Sequence, residues 1–125
     1  MVAMFIGLSL LMNTGCNKTK YDITGAWRVN YVLTSAATFE MGFTGSRTSG
    51  YTVWNNQISG EYNVAGQDME FVLRITVSAD DDTRTIIYYF LGSFDSSDRM
   101  SGTLKAYDLE DEDSAINGTW YAEKL

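Results

Sequence analysis

The chain has 125 residues, 45% of them hydrophobic and 14% aromatic, which suits one domain with its own core and excludes a disordered tail. Nine Lys and Arg against sixteen Asp and Glu leave a net charge of −7, which excludes the clustered cations of a nucleic-acid groove. With no His and a single Cys, the sequence holds no Ser-His-Asp or Cys-His nucleophile, no His-bound zinc, copper or haem, and no intrachain disulfide.

Taken in chain order, the first element is the uncharged apolar run VAMFIGLSLLM at residues 2–12. It is shorter than the roughly 20 residues that span a bilayer and has the length of a signal-peptide apolar core. Thr14 and Gly15 lead into Cys16, and the polar stretch Asn17, Lys18, Thr19 and Lys20 follows. This segment resembles a bacterial lipoprotein signal, in which the Cys becomes the lipidated first residue of the mature chain. No Lys or Arg precedes the apolar run, and Asn13 stands where such signals carry Leu. The resemblance implies a signal peptide at 1–15, lipidation of Cys16 with a short tether at 16–20, and a domain at 21–125. It also implies a bacterial cell-envelope location, lipid-anchored at the outer membrane or its periplasmic face. A lone thiol consumed by lipidation fits an oxidising compartment. Read without the resemblance, the segment is an ordinary secretory signal, or a first strand in which Cys16 is a small buried residue.

From Tyr21 onward no stretch sustains a helical apolar period, whereas period-2 alternation recurs. Trp27, Val29, Tyr31 and Leu33 form one such set, and Phe39, Met41 and Phe43 a second. Met69, Phe71, Leu73, Ile75 and Val77 form the cleanest, while residues 85–94 (TIIYYFLGSF) are apolar on both faces, as a strand covered on both sides would be. Turn clusters fall at 45–50, 55–57, 65–68, 79–82, 95–98 and 108–114. Short connections require antiparallel neighbours, and a meander of about eight strands can close on itself. The expectation is an all-β, antiparallel, up-and-down barrel.

One pattern recurs at strand starts: apolar, small polar, Gly, any residue, then aromatic or Leu. It occurs as Ile23-Thr24-Gly25-Ala26-Trp27, Ile58-Ser59-Gly60-Glu61-Tyr62, Met100-Ser101-Gly102-Thr103-Leu104 and Ile116-Asn117-Gly118-Thr119-Trp120. Its outer positions share a strand face with the Gly, which leaves room for a bulky neighbour or lets the strand bend. Gly25-Ala26-Trp27 after a short polar lead resembles the opening of lipocalins and the wider calycin group, and the avidins open similarly. Gly118-Thr119-Trp120-Tyr121 resembles the closing strand of small lipocalin-like domains in bacterial lipoproteins, especially of the Bacteroidetes. The resemblance covers about Tyr21 to Leu125, and it implies a lipocalin-like barrel with a cation over the first-strand Trp, for which Lys124 and Arg99 are the candidates. Lipocalins also carry a helix after the eighth strand, and the few residues after Trp120 leave no room for one.

Trp27, Tyr62, Phe71, Tyr89 and Trp120 are expected on one face, lining an interior that takes a small apolar ligand, with Tyr88 and Phe90 on the other face. A small barrel can equally fill its interior with these side chains. Glu40, Glu61, Glu70 and Glu123 alternate toward the polar face and read as solvated rather than as an acid–base pair. The acidic runs Asp80–Asp82 and Asp108–Asp113 read as solvated turns, the second lacking the spacing of a calcium loop. The expected function is non-catalytic binding of a small apolar molecule, with no cofactor or metal, no nucleic acid, and membrane contact only through the lipid. The alternative is an envelope protein-interaction or inhibitor module with a solid barrel and active loops.

Overall fold

The computed structural model describes residues 21–45, 49–55, 58–79 and 81–125; Cys16 and the expected signal lie outside them. The alternating runs become eight strands: β1 (Gly25–Val32), β2 (Ala36–Gly45), β3 (Ser49–Asn55), β4 (Ile58–Ala65), β5 (Asp68–Ala79), β6 (Asp82–Ser96), β7 (Arg99–Asp108) and β8 (Asp111–Lys124). Each pairs antiparallel with the next, and β8 pairs with β1 from Trp27↔Lys124 to Val32↔Thr119, so the sheet closes into a barrel. The expected up-and-down barrel is therefore what the chain forms. Closure leaves no unpaired edge for another chain to extend.

The expected 108–114 turn is shorter than its polar composition suggests. β8 begins at Asp111, and the register slips between Ala106↔Ile116 and Asp108↔Asp111, so the extra residues form a bulge on the β8 side. Ser114 organises that bulge: its Oγ donates to the Asp111 carbonyl at 2.6 Å and accepts from the Asp108 amide at 3.2 Å.

The repeated Gly pattern has two distinct causes. Gly25 opens β1 at φ 118°, a backbone conformation that a side chain would disfavour. Further along, Gly92 and Gly102 face one another across β6 and β7, and Trp120 is registered against Gly102. A Cβ on Gly92 would lie 2.2 Å from the Ser101 carbonyl oxygen and 2.8 Å from the Trp120 ring, and one on Gly102 would lie 1.9 Å from the Leu91 carbonyl oxygen. The two glycines therefore let the backbones of β6 and β7 approach closely, with the indole against Gly92.

Inside the barrel the rings interlock. Phe71 stacks on Phe90 with centroids 4.3 Å apart and planes 8° from parallel, and Trp120 meets both edge-on at 5.4 and 5.5 Å. Phe43 packs edge-on against Phe71 and Tyr62, and Val29, Met41, Met69, Leu73 and Leu104 fill the space between, all buried. Such pairs add about 0.5–1.5 kcal/mol each beyond their area burial.

Candidate functional site: the open end of the barrel

The two ends of the barrel differ. At the end where β1 begins and β8 finishes, Ile23 and Trp27 are fully buried, and the lead-in residue Tyr21 lays its ring 5.2 Å from Phe94. The Trp27 indole donates to the Ile23 carbonyl at 2.7 Å, and Lys124 Nζ lies 5.7 Å from the indole centroid while donating to the Asp22 carbonyl at 3.1 Å. The expected cation over the first-strand Trp is thus Lys124. Arg99, the other candidate, lies instead over the Tyr121 ring at 4.6 Å. This end is sealed.

At the other end, where the β1–β2, β5–β6 and β7–β8 connections lie, the core thins. Tyr31, Leu33, Ile75 and Tyr88 are only half-buried against it, whereas Trp27, Phe71 and Phe90 are fully enclosed. A cleft of ≈ 450 Å³ opens there, walled by Leu33, Ile86, Tyr88, Ala106, Asp108 and Ile116. Beneath it Tyr31 meets Tyr88 edge-on at 6.1 Å, and Tyr31 rests on Phe39 and Phe90. Burial, together with the neighbouring Tyr88, raises the Tyr31 phenol above its ordinary value, so it stays neutral at physiological pH.

The wall of the cleft is fixed by a carboxylate. Asp108 is 8% exposed; one oxygen accepts from Arg84 Nη1 at 3.0 Å and the other from the Glu110 amide at 2.9 Å. Arg84 also bonds Asp82 at 3.0 Å, so it is held between the β5–β6 and β7–β8 hairpins, and the Leu109 amide adds a bond to the Thr85 carbonyl at 2.9 Å. Among the described residues no group of three or more acidic side chains is arranged to hold a metal ion.

The expected ligand-lining set divides. Trp27, Tyr62, Phe71 and Trp120 share the interior as expected, but they are 0–3% exposed and interlocked, and none borders the cleft at the open end. Tyr89 is a correction: it points out of the barrel, while Tyr88 and Phe90 point in. The register explains why. Phe71 lies directly opposite Phe90 and Val72 opposite Tyr89, so Tyr89 takes the outer face with Val72. Because residues 85–94 are apolar on both faces, alternation there carries no phase. Phe90-Leu91-Gly92-Ser93-Phe94 comes close to the Gly pattern, departing from it at Leu91, and its Phe90 and Phe94, in the pattern's outer positions, are both buried.

Glu70 is a second correction. It does lie on the outer face, yet it is 1% exposed rather than solvated. Beside it, Val72, Ile87 and Tyr107 form a small cluster on the outer wall, with Tyr89 and Ala115 packed against it. The Tyr89 hydroxyl donates to Glu70 Oε1, and Oε2 has no partner. Burial pushes the Glu70 carboxyl up, with the Tyr89 hydrogen bond opposing it, and burial and Glu70 together push the Tyr89 phenol well up.

Alternation could not show the cleft residues as a set, because Leu33, Ile86, Ala106 and Ile116 come from four different strand ends. No family model, curated protein or solved structure matches the chain.

Proposed function

We propose that this domain is a non-catalytic binding protein that takes a small apolar molecule in the open mouth of its barrel, held at a bacterial envelope membrane through a lipid on Cys16. The observation that carries the reading is the asymmetry of the barrel. One end is closed among the described residues by Ile23, Trp27 and Lys124, while the other keeps a ≈ 450 Å³ cleft lined mainly by apolar and aromatic side chains, with Thr34, Asp108 and Ser114 as its polar members. A cleft on a rigid, fully paired sheet is preformed, so a ligand there loses little affinity to ordering the protein. Trp27, Tyr62, Phe71 and Trp120 serve this reading as the packed body beneath the mouth rather than as the contact surface.

Native mass spectrometry of the full chain, recovered gently from bacterial membranes, tests this. The expected result is an adduct of roughly a few hundred daltons, as suits a pocket of this class, retained on Leu91→Ala and lost on Tyr88→Ala. A clean mass for the unsubstituted protein would favour a second reading, that of a protein-interaction module with a solid barrel. What supports that alternative is the packed interior together with an uncharged row on the outer wall. Val32, Thr119, Thr103 and Leu91 follow one another across four strands there, and its apolar ends are 48% and 45% exposed.

A further inference from the structure

We infer that the mouth selects an organic cation, an amine or quaternary ammonium carried on an apolar body; this rests on the reading of the mouth as a ligand site. The cleft itself supplies two of the parts. Leu33, Ile86, Ala106 and Ile116 offer apolar surface, and the half-buried Tyr88, supported edge-on by Tyr31, offers a phenol ring. Aromatic faces attract ammonium groups, and more strongly as water is excluded.

The third part is the distribution of charge. Asp81 and Asp82 sit on one bordering hairpin, and Asp108, Glu110, Asp111, Glu112 and Asp113 on the other, against Arg84 as the one cation of the two tips. Arg84 lies between Asp82 and Asp108 at 3.0 Å from each, so its charge is already matched and leaves little for an anionic ligand. Asp108 in the cleft wall is itself paired with Arg84, so the excess negative charge comes from the bordering turns, and Ser114, within the bulge that carries Asp113, borders the cleft. The β1–β2 turn opposite, Leu33, Thr34 and Ser35, is uncharged. An apolar cleft bordered by turns with excess negative charge concentrates cations near it. A fatty carboxylate would meet repulsion there, whereas an ammonium would meet attraction and a ring to rest on.

Three probes with the same tail separate the possibilities: decyltrimethylammonium, decanoate and decanol, each kept below its aggregation concentration. They are titrated calorimetrically into the full chain at about 150 mM salt, where long-range surface attraction is screened. The expected result is binding of the cation about tenfold or more tighter than either of the others, a difference of about 1.4 kcal/mol. Tyr88→Leu should weaken the cation several-fold, and Asp111→Asn with Asp113→Asn should shrink its advantage over decanol. Urea unfolding of each variant checks that the barrel is intact. Equal binding of all three probes would overturn the cation inference and leave the mouth as an apolar site. Binding of none would overturn the mouth reading and this inference with it. Cation binding that weakens on the Asp→Asn changes but ignores Tyr88→Leu would place the probe on the acidic surface alone, which also overturns it.

Discussion

Lys124 and Trp27 are paired across the β1–β8 seam, and the ammonium that lies over the indole also bonds the Asp22 carbonyl, so one side chain ties the lead-in segment to the closing strand. Lys124→Met keeps the stem and removes both interactions. We expect it to destabilise the domain by about 1–3 kcal/mol, the range of a partly buried cation–aromatic contact plus a charged hydrogen bond. Lys124→Arg should recover part of the loss, and urea unfolding of the two variants measures the difference.

Glu70 makes stability depend on pH in a definite direction. Its folded carboxyl titrates above the ordinary Glu value because it is buried, so the folded state holds its proton more tightly than the unfolded chain does. The stabilisation is present below the ordinary Glu range and is lost as pH rises toward the raised value. Glu70→Gln keeps an oxygen for the Tyr89 hydroxyl and cannot ionise. It should be about 1–3 kcal/mol more stable than the unsubstituted protein near pH 8 and nearly equal to it near pH 4. The same difference at both pH values would refute a role for the carboxyl proton.

The glycines of β7 and β8 admit no side chain. A Cβ on Gly102 would lie 1.9 Å from the Leu91 carbonyl oxygen, and one on Gly118 1.9 Å from that of Val32. Since backbone is the obstacle, the strands themselves must shift, and Gly102→Ala or Gly118→Ala should cost about 1–3 kcal/mol or more. Gly66, in the β4–β5 turn at φ 63°, has nothing within 4 Å of its ideal Cβ. Gly66→Asn should therefore be nearly neutral, since Asn tolerates that conformation. Thermal unfolding of the three variants checks the order.

The packed middle and the open end should also respond differently. Phe71→Ala removes the partner of Phe90 from a fully buried stack and should cost about 3–5 kcal/mol. Tyr88→Leu trims a half-buried ring at the rim and should cost less than about 1.5 kcal/mol. Comparable losses for both would mean that the mouth is as tightly packed as the interior.

The barrel was legible from alternation and turn spacing because each strand with a polar face declares which side it buries. Trp27, Val29, Phe71 and Leu73 were placed correctly on that basis. Tyr89 was not, since a strand flanked by apolar residues on both sides has no polar face to set its phase, and only its register against Phe71 and Val72 decides. Glu70 was misread because a carboxylate on the outer face is ordinarily wet. Here Val72, Ile87, Tyr89 and Tyr107 build a second, smaller apolar cluster on that wall. The mouth was invisible for a different reason: Leu33, just past the end of β1, reaches the β6–β8 residues Ile86, Ala106 and Ile116 only when the sheet closes.

That closure also sets when the domain can form. The β1–β8 ladder joins Trp27 to Lys124 and Val32 to Thr119, so the sheet is completed by contacts between its first and last strands. On the ribosome, β1 through β7 can zip up by neighbouring hairpins while an edge stays open at each side. The seam must wait for β8, and the entropy of bringing such distant segments together falls on that late step. Until then the edges of β1 and β7 stay available to other chains, so a lag in making or delivering β8 is the interval in which this barrel is most exposed to aggregation.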